Sequence, residues 1–387
     1  MELLTSNYKT KVNETVMELQ MRIILIKIIK KYLIVGIVAI FFPITASAST
    51  VSTTDQLEGI FYISPAYLTA GINDLQTNVP SGDIVAPQTY SVDSNLEATG
   101  SVPEQIMEIT KSKGVKVMPL ITNGDNFSQS LMNDLLASTT AQNNVISYLI
   151  SEAQNNGYIG WQFDFEHMEA SDSEPYTAFV KKAATVLHQN NLILSVTAVA
   201  RTDDATSTPF YQNWAGAYDY AQLAKYADFI SLMTYDDPKT IGPTASIPYD
   251  TSVLNYLSDK VPTDKISLGI PLYYYGWDIT ATSSQIDLFY NVPSSDFGEV
   301  INYGGTYTRW QYDRENYGLN ELFDSGLGSP YSTYYLNGHE YQIWYDDSTS
   351  MQMKLDMARL FHLRGFSAWA LGQEFPDVWD AFDKNNK

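Results

Sequence analysis

The chain has 387 residues, 44% hydrophobic and 17% charged, a composition that buries a substantial core and is unlike that of a disordered chain. Its formal net charge of −21 opposes phosphate backbones and disfavours sequence-independent nucleic-acid binding. Without Cys, disulfide staples, thiol nucleophiles and thiolate zinc sites are excluded. The four His at 167, 188, 339 and 362 form no HExxH pair, so no metal or other cofactor is expected.

The first 48 residues carry a net charge of +3, leaving −24 on the remainder. Lys27, Lys30 and Lys31 precede an apolar run from Tyr32 to Phe42, then Pro43 and Ala46-Ser47-Ala48, with small residues at the two positions a signal peptidase reads. That order predicts export, with cleavage after Ala48 and residues 49–387 as the working body. The run is about half of the roughly 20 residues that span a bilayer, although apolar residues among Met21 to Ile29 extend it. An uncleaved anchor through residues 32–48 is the alternative, and the only membrane contact expected. Translation from Met21 would give an ordinary short leader.

From residue 58 onward, short β-branched and aromatic runs alternate with helical patterns, the signature of repeated βα units around a parallel sheet. Eight strands are predicted: Gly59 to Ser64, Asp83 to Thr89, Lys116 to Ile121, Gly160 to Glu166, Ile193 to Val199, Phe229 to Tyr235, Ile266 to Leu272 and Phe366 to Leu371. Helices are predicted over Pro103 to Ser112, Thr140 to Asn155 and Ser173 to Gln189. The expected fold is therefore α/β, a (β/α)8 barrel. The last interval is much the longest. Its segment from Gly276 to about Asp347 is rich in Tyr, Gly, Ser and Asn, with alternating pieces at Thr306 to Gln311 and Glu340 to Tyr345. It reads as a small β-rich insertion between strands 7 and 8, forming one wall of a cleft. Tyr274, Tyr275, Trp277 and Trp310 either line subsites there or pack the insertion.

The fourth strand carries the chemistry. Alternation sends Ile159, Trp161, Phe163 and Phe165 toward the helices, and Gly160, Gln162, Asp164 and Glu166 into the barrel, with both acids at the carboxyl end. Two like charges at i and i+2 on one face cannot both ionise freely, so one proton is held at a raised pKa, as a general acid requires. Glu166, nearest the mouth, is the expected acid, with Asp164 beneath it.

FDFEHM resembles the fourth-strand motif DxxDxDxE of glycoside hydrolase family 18, the chitinase family, whose final acid is the catalytic one. Leu232-Met233-Thr234-Tyr235-Asp236 is similar to the family's sixth-strand MxYD, Leu268-Gly269-Ile270-Pro271-Leu272-Tyr273 to its seventh-strand GxPxY, and Ala368-Trp369-Ala370-Leu371-Gly372 to the last strand that supplies a Trp. Together they cover residues 58 to 382 in the family's order. LMTYDD and VPTDKISLGIPLYYYGWD most resemble the bacterial branch that includes spore-cortex and peptidoglycan hydrolases.

The resemblance implies hydrolysis of β-1,4 linkages in N-acetylglucosamine-containing glycans by a retaining mechanism in which the substrate's acetamido oxygen is the nucleophile. Glu166 would then be general acid and base, Asp164 would hold the acetamide, and Tyr235 would donate its hydroxyl to the acetamido oxygen. Trp369 would floor the sugar, Met233 and Asp236 would line the same subsite, and Asn123 would hydrogen-bond substrate. Gln162 stands where the family has an ionisable Asp, so Asp164 is expected to stay charged over a wider pH range. The partner is an oligosaccharide or polysaccharide (chitin, peptidoglycan or the N-glycan core), and a monomer is expected. The competing readings are a catalytically inactive, lectin-like protein on the same fold and an adhesion protein built on its 28 Tyr.

Overall fold

The computed structural model describes residues 56–124, 126–237, 241–280 and 305–385. The predicted export segment lies outside them, and among the described residues no helix is long and apolar enough to cross a membrane.

Eight parallel strand positions follow one another: Glu58–Ile63, Ile84–Val92, Lys116–Val117 with Leu120–Thr122, Gly160–Asp164, Ile193–Val199, Phe229–Met233, Ile266–Pro271 and Gly365–Trp369. The sheet closes because the first strand pairs on both sides, Ile60 with Ile84 and Gly59 with Phe366. The fold is the predicted (β/α)8 barrel. The third strand is split at Pro119, which has no N–H to give a ladder.

Helices occupy Glu104–Lys113, Thr139–Asn156 and Ser173–Gln189, close to prediction. The first two stop at Gly114 and Gly157, whose φ values of 71° and 75° lie in the left-handed region that favours glycine.

Period-2 alternation sorts the strands into two cores. On the fourth strand Trp161 donates its indole N–H to the Leu149 carbonyl of the helix Thr139–Asn156 at 2.9 Å, and Phe163 stacks on Phe179 of the helix Ser173–Gln189 at 5.4 Å. Inside the barrel, Ile60, Tyr62, Ile84, Met118, Leu120 and Phe229 form a separate apolar cluster. Ile159 corrects the predicted pattern: it packs against this interior cluster rather than the helices, because it precedes the strand and alternation begins only at Gly160.

Between the seventh and eighth barrel strands, Tyr275–Asp278, Asn320–Asp324, Ser329–Leu336 and His339–Trp344 form a four-stranded antiparallel sheet. The alternating piece Thr306 to Gln311 is not a strand: it opens the helix Tyr307–Tyr317. Thr306 caps that helix by accepting the Arg309 N–H, an Arg309–Asp313 ion pair of 2.9 Å spans one turn, and Gly318 ends it at φ 69°. Tyr274, Tyr275, Trp277 and Trp310 are all buried and pack in and around the insertion. Trp277 donates to the Gly242 carbonyl at 2.7 Å and Trp310 to the Ser332 hydroxyl at 3.2 Å.

Candidate active site

The interior changes from polar to chemically active along the fourth strand. Gln162 donates to the hydroxyls of Ser195 and Ser231, both at 2.8 Å, and is fully buried. It belongs to a polar layer that crosses the barrel, and it is not among the residues that line the cavity. One layer higher, the Thr197 hydroxyl donates to Asp164 Oδ1 at 2.7 Å. Strand order puts Ser195 beside Gln162 and Thr197 two residues further on, so the same alternation builds both layers.

Glu166 lies just past the strand end, and its backbone is clamped. Asn123 accepts the Glu166 N–H at 3.0 Å and donates to the Glu166 carbonyl at 2.9 Å, while the Tyr218 hydroxyl donates to the Phe165 carbonyl at 2.8 Å. Asn123 also donates to the Ser128 carbonyl at 3.2 Å and is fully buried. Its amide is engaged in positioning Glu166. The backbone turns away immediately afterwards, with His167 at φ 54°. His167 stacks on Trp214 with centroids 4.3 Å apart.

The two acids sit in different electrostatic surroundings. Burial raises the Glu166 carboxyl well above the ordinary range, the charges of Asp164 and Asp236 push it further, and the Trp214 side chain pulls the other way by hydrogen bonding. Asp164 is also raised by burial, but hydrogen bonds from Thr197 and Gln88 hold it at about 6. Burial therefore offsets the wider charged range that Gln162 was expected to give Asp164. The proton resides preferentially on Glu166.

The sixth and seventh strands complete the site. A Cβ on Gly269 would lie 2.2 Å from the Leu232 carbonyl oxygen and 3.0 Å from the Tyr235 ring, so only glycine lets the seventh strand approach this closely and leaves Tyr235 its place. Asp236, at φ 59°, accepts the Tyr273 hydroxyl at 2.5 Å and also the Tyr275 hydroxyl. Trp369, on the last strand, packs against Tyr62 with centroids 5.3 Å apart.

Glu166, Asp164, Tyr235, Asp236, Met233 and Trp369 line one cavity of about 570 Å³ at the carboxyl ends of the strands. Part of the predicted insertion, residues 281–304, lies outside the described residues. The segment after the fifth strand supplies much of the cavity wall, including Arg201, Tyr211 and Trp214, whereas no described residue of 276–347 lines the cavity. These residues lie in an aperiodic stretch and carry no motif, so nothing in the sequence marked them. Among the described residues no cluster of His, Asp and Glu could hold a metal ion.

Residues 28–374 match the family model described as glycosyl hydrolases family 18. The chain is 25% identical over 327 residues to the uncharacterized glycosylase YvbX of Bacillus subtilis, covering 82% of this chain and 89% of that protein. It is 28% identical over 283 residues to the cortical fragment-lytic enzyme of B. subtilis, covering 71% of this chain but only 61% of that longer protein. Among solved structures, the spore cortex-lytic enzyme SleL of Bacillus megaterium superposes with a TM-score of 0.71 at 22% identity, over 85% of this chain and 74% of that one. A chitinase from Chromobacterium violaceum gives a TM-score of 0.71 at 24% identity, over 85% and 99% of the two chains. The family-model match over most of its length establishes that this chain is a glycosidase and belongs to glycosyl hydrolase family 18.

Proposed function

We propose that the chain hydrolyses β-1,4 linkages in N-acetylglucosamine-containing glycans by a retaining, substrate-assisted mechanism with Glu166 as general acid and base. The observation that carries this reading is the unequal acid pair. Glu166 is held protonated by burial and by two neighbouring carboxylates, while Asp164 keeps donors that support its charge.

In the first half, Glu166 gives its proton to the glycosidic oxygen as the C1–O bond breaks, and the substrate's acetamido oxygen bonds to C1. Asp164 accepts the acetamide N–H and offsets the positive charge of the oxazolinium. Tyr235, whose hydroxyl burial keeps protonated, donates to the acetamido oxygen. Trp369 offers a flat apolar face to the C–H face of the sugar. In the second half, ionised Glu166 removes a proton from water, and the resulting hydroxide opens the oxazolinium at C1.

The charged, apolar and small-residue order of residues 27–48, read as an export signal, supports action outside the cytoplasm, either free or tethered through residues 32–48. The relatives named for spore-cortex lysis and for chitin hydrolysis support the substrate class.

The test is release of reducing ends from chitin oligosaccharides and from purified peptidoglycan by residues 49–387, beside a Glu166→Gln control. The control is expected to lose about 10²- to 10⁴-fold in kcat with little change in KM. Glycan binding without turnover, unaffected by Glu166→Gln, would instead favour the lectin-like reading.

A further inference from the structure

The acids lining the cavity repel anions, yet among the described lining residues there is one fixed cation, Arg201, which the catalytic scheme does not use. It stands two residues past the fifth strand and is half-buried. Its Nε donates to the Tyr220 hydroxyl at 3.2 Å and its Nη2 to the Tyr218 carbonyl at 3.1 Å. The guanidinium lies 4.6 Å from the Tyr220 ring centroid and 5.3 Å from that of Tyr211. All of these partners are neutral.

The two nearest acids in sequence make no direct ion pair with it: Asp203, which also lines the cavity, accepts the Ala205 N–H at 2.9 Å, and Asp204 accepts the hydroxyl of Tyr256, whose ring lies 5.8 Å from the guanidinium. Arginine carries five N–H donors in a planar fork, of which the protein takes two here. A half-buried guanidinium at the cavity edge, supported by ring faces and a carbonyl, keeps donors that no protein carboxylate meets directly. That fork matches a carboxylate in two-point geometry.

We infer that Arg201 reads a carboxylate carried by the glycan, so the cavity prefers an acetamido sugar with an acidic substituent, such as the lactyl ether of N-acetylmuramic acid, over neutral chitin. This rests on the proposed function, because it assigns a further specificity to the same cavity. The carboxylate can be the lactyl group itself or one in a peptide attached to it.

The experiment measures binding by calorimetry to the full chain carrying Glu166→Gln, which makes the result independent of turnover. Four tetrasaccharides serve as probes: chitin, alternating N-acetylglucosamine and N-acetylmuramic acid with free lactyl carboxyls, the same with those carboxyls converted to methyl amides, and the same bearing stem peptides. A charge-assisted two-point contact predicts that an anionic probe binds about tenfold or more tighter than chitin and that added salt narrows the gap. Preference for the free acid that vanishes in the amide assigns the lactyl carboxylate; preference for the peptide-bearing probe alone assigns the peptide.

Arg201→Gln is expected to cost the anionic probe at least tenfold more than it costs chitin, with Arg201→Lys restoring part of the difference. Equal affinity for the anionic and neutral probes, before any change at Arg201, would overturn the inference. So would a parallel loss on both probes in Arg201→Gln, which is the mark of a merely structural residue. Loss of turnover on every glycan by the unaltered chain would defeat the proposed hydrolysis and leave these binding ratios readable.

Discussion

Replacing Asp164 by asparagine separates the stability of the barrel from its chemistry. Asp164 is 4% exposed, and burial raises its carboxyl from 3.8 to about 6. Below the unfolded value both states hold the proton, and burial costs nothing in charge. Above the folded value the native protein holds an ionised group that its surroundings disfavour. At about 1.4 kcal/mol per pH unit between the two values, the cost is on the order of 3 kcal/mol, developing as pH rises from about 4 through about 6. Asparagine keeps the shape and can still accept from Thr197, now 2.7 Å from Asp164 Oδ1, but it cannot ionise. Asp164→Asn is therefore expected to raise the unfolding free energy by on the order of 3 kcal/mol near pH 8 and by almost nothing near pH 4. Turnover should fall by about 10²-fold or more, because the oxazolinium loses its counter-charge. Urea unfolding followed by tryptophan fluorescence at both pH values, beside reducing-end assays, measures the two effects. An equal stability change at both pH values would refute the argument, since it would show that packing rather than ionisation set the difference.

Three further outcomes follow from the same geometry. Trp214→Phe removes the hydrogen-bonding side chain that lowers the Glu166 pKa, so the basic limb of the kcat profile should move to higher pH. Gln162→Asp places a new acid on the barrel-facing side two residues before Asp164, and its charge should raise the Asp164 pKa further and move the acidic limb to higher pH; an unchanged limb would count against electrostatic coupling of the two layers. Asn123→Ala deletes the bonds to both backbone groups of Glu166 and should destabilise by about 2–4 kcal/mol in thermal unfolding. If Asn123 is a positioning residue, kcat should fall more than KM rises, whereas the reverse would make it a substrate contact.

The parts legible in the sequence are those governed by short-range periodicity. A period of two residues fixes which side chains of Gly160–Asp164 enter the barrel, and this is why Gln162 and Asp164 emerged together on one face. Glycines at 114 and 157 mark helix ends for the same local reason. What alternation cannot supply is depth along the barrel axis: Gln162 and Asp164 share a face, but only one lines the cavity. The backbone contacts of Asn123 were not legible either, because an amide near a strand end looks the same whether it meets a sugar or a backbone 43 residues away. Trp214 and Arg201 were missed because their roles depend on contacts between an aperiodic segment and distant strand ends. The aromatics at 274, 275, 277 and 310 show the converse difficulty, since a Tyr or Trp has the same composition in a buried insertion as on an open subsite.

Four acids line the cavity, and the fold gives the three from the fourth and sixth strands, Asp164, Glu166 and Asp236, different means of bearing their charge. Asp164 has Thr197 and Gln88 as donors, and Asp236 has the phenols of Tyr273 and Tyr275. Glu166 has Trp214 alone, and it is repelled by both of the others. Unequal donation decides where the proton rests before substrate enters: on the residue nearest the mouth, which in the proposed reaction must protonate the leaving oxygen. Once it has done so, Glu166 becomes a third carboxylate beside Asp164 and Asp236, and burial together with their charges makes it a stronger base toward water. The burial that makes Glu166 an acid in the first half therefore makes it a base in the second, and no further titratable group is required to reset the site.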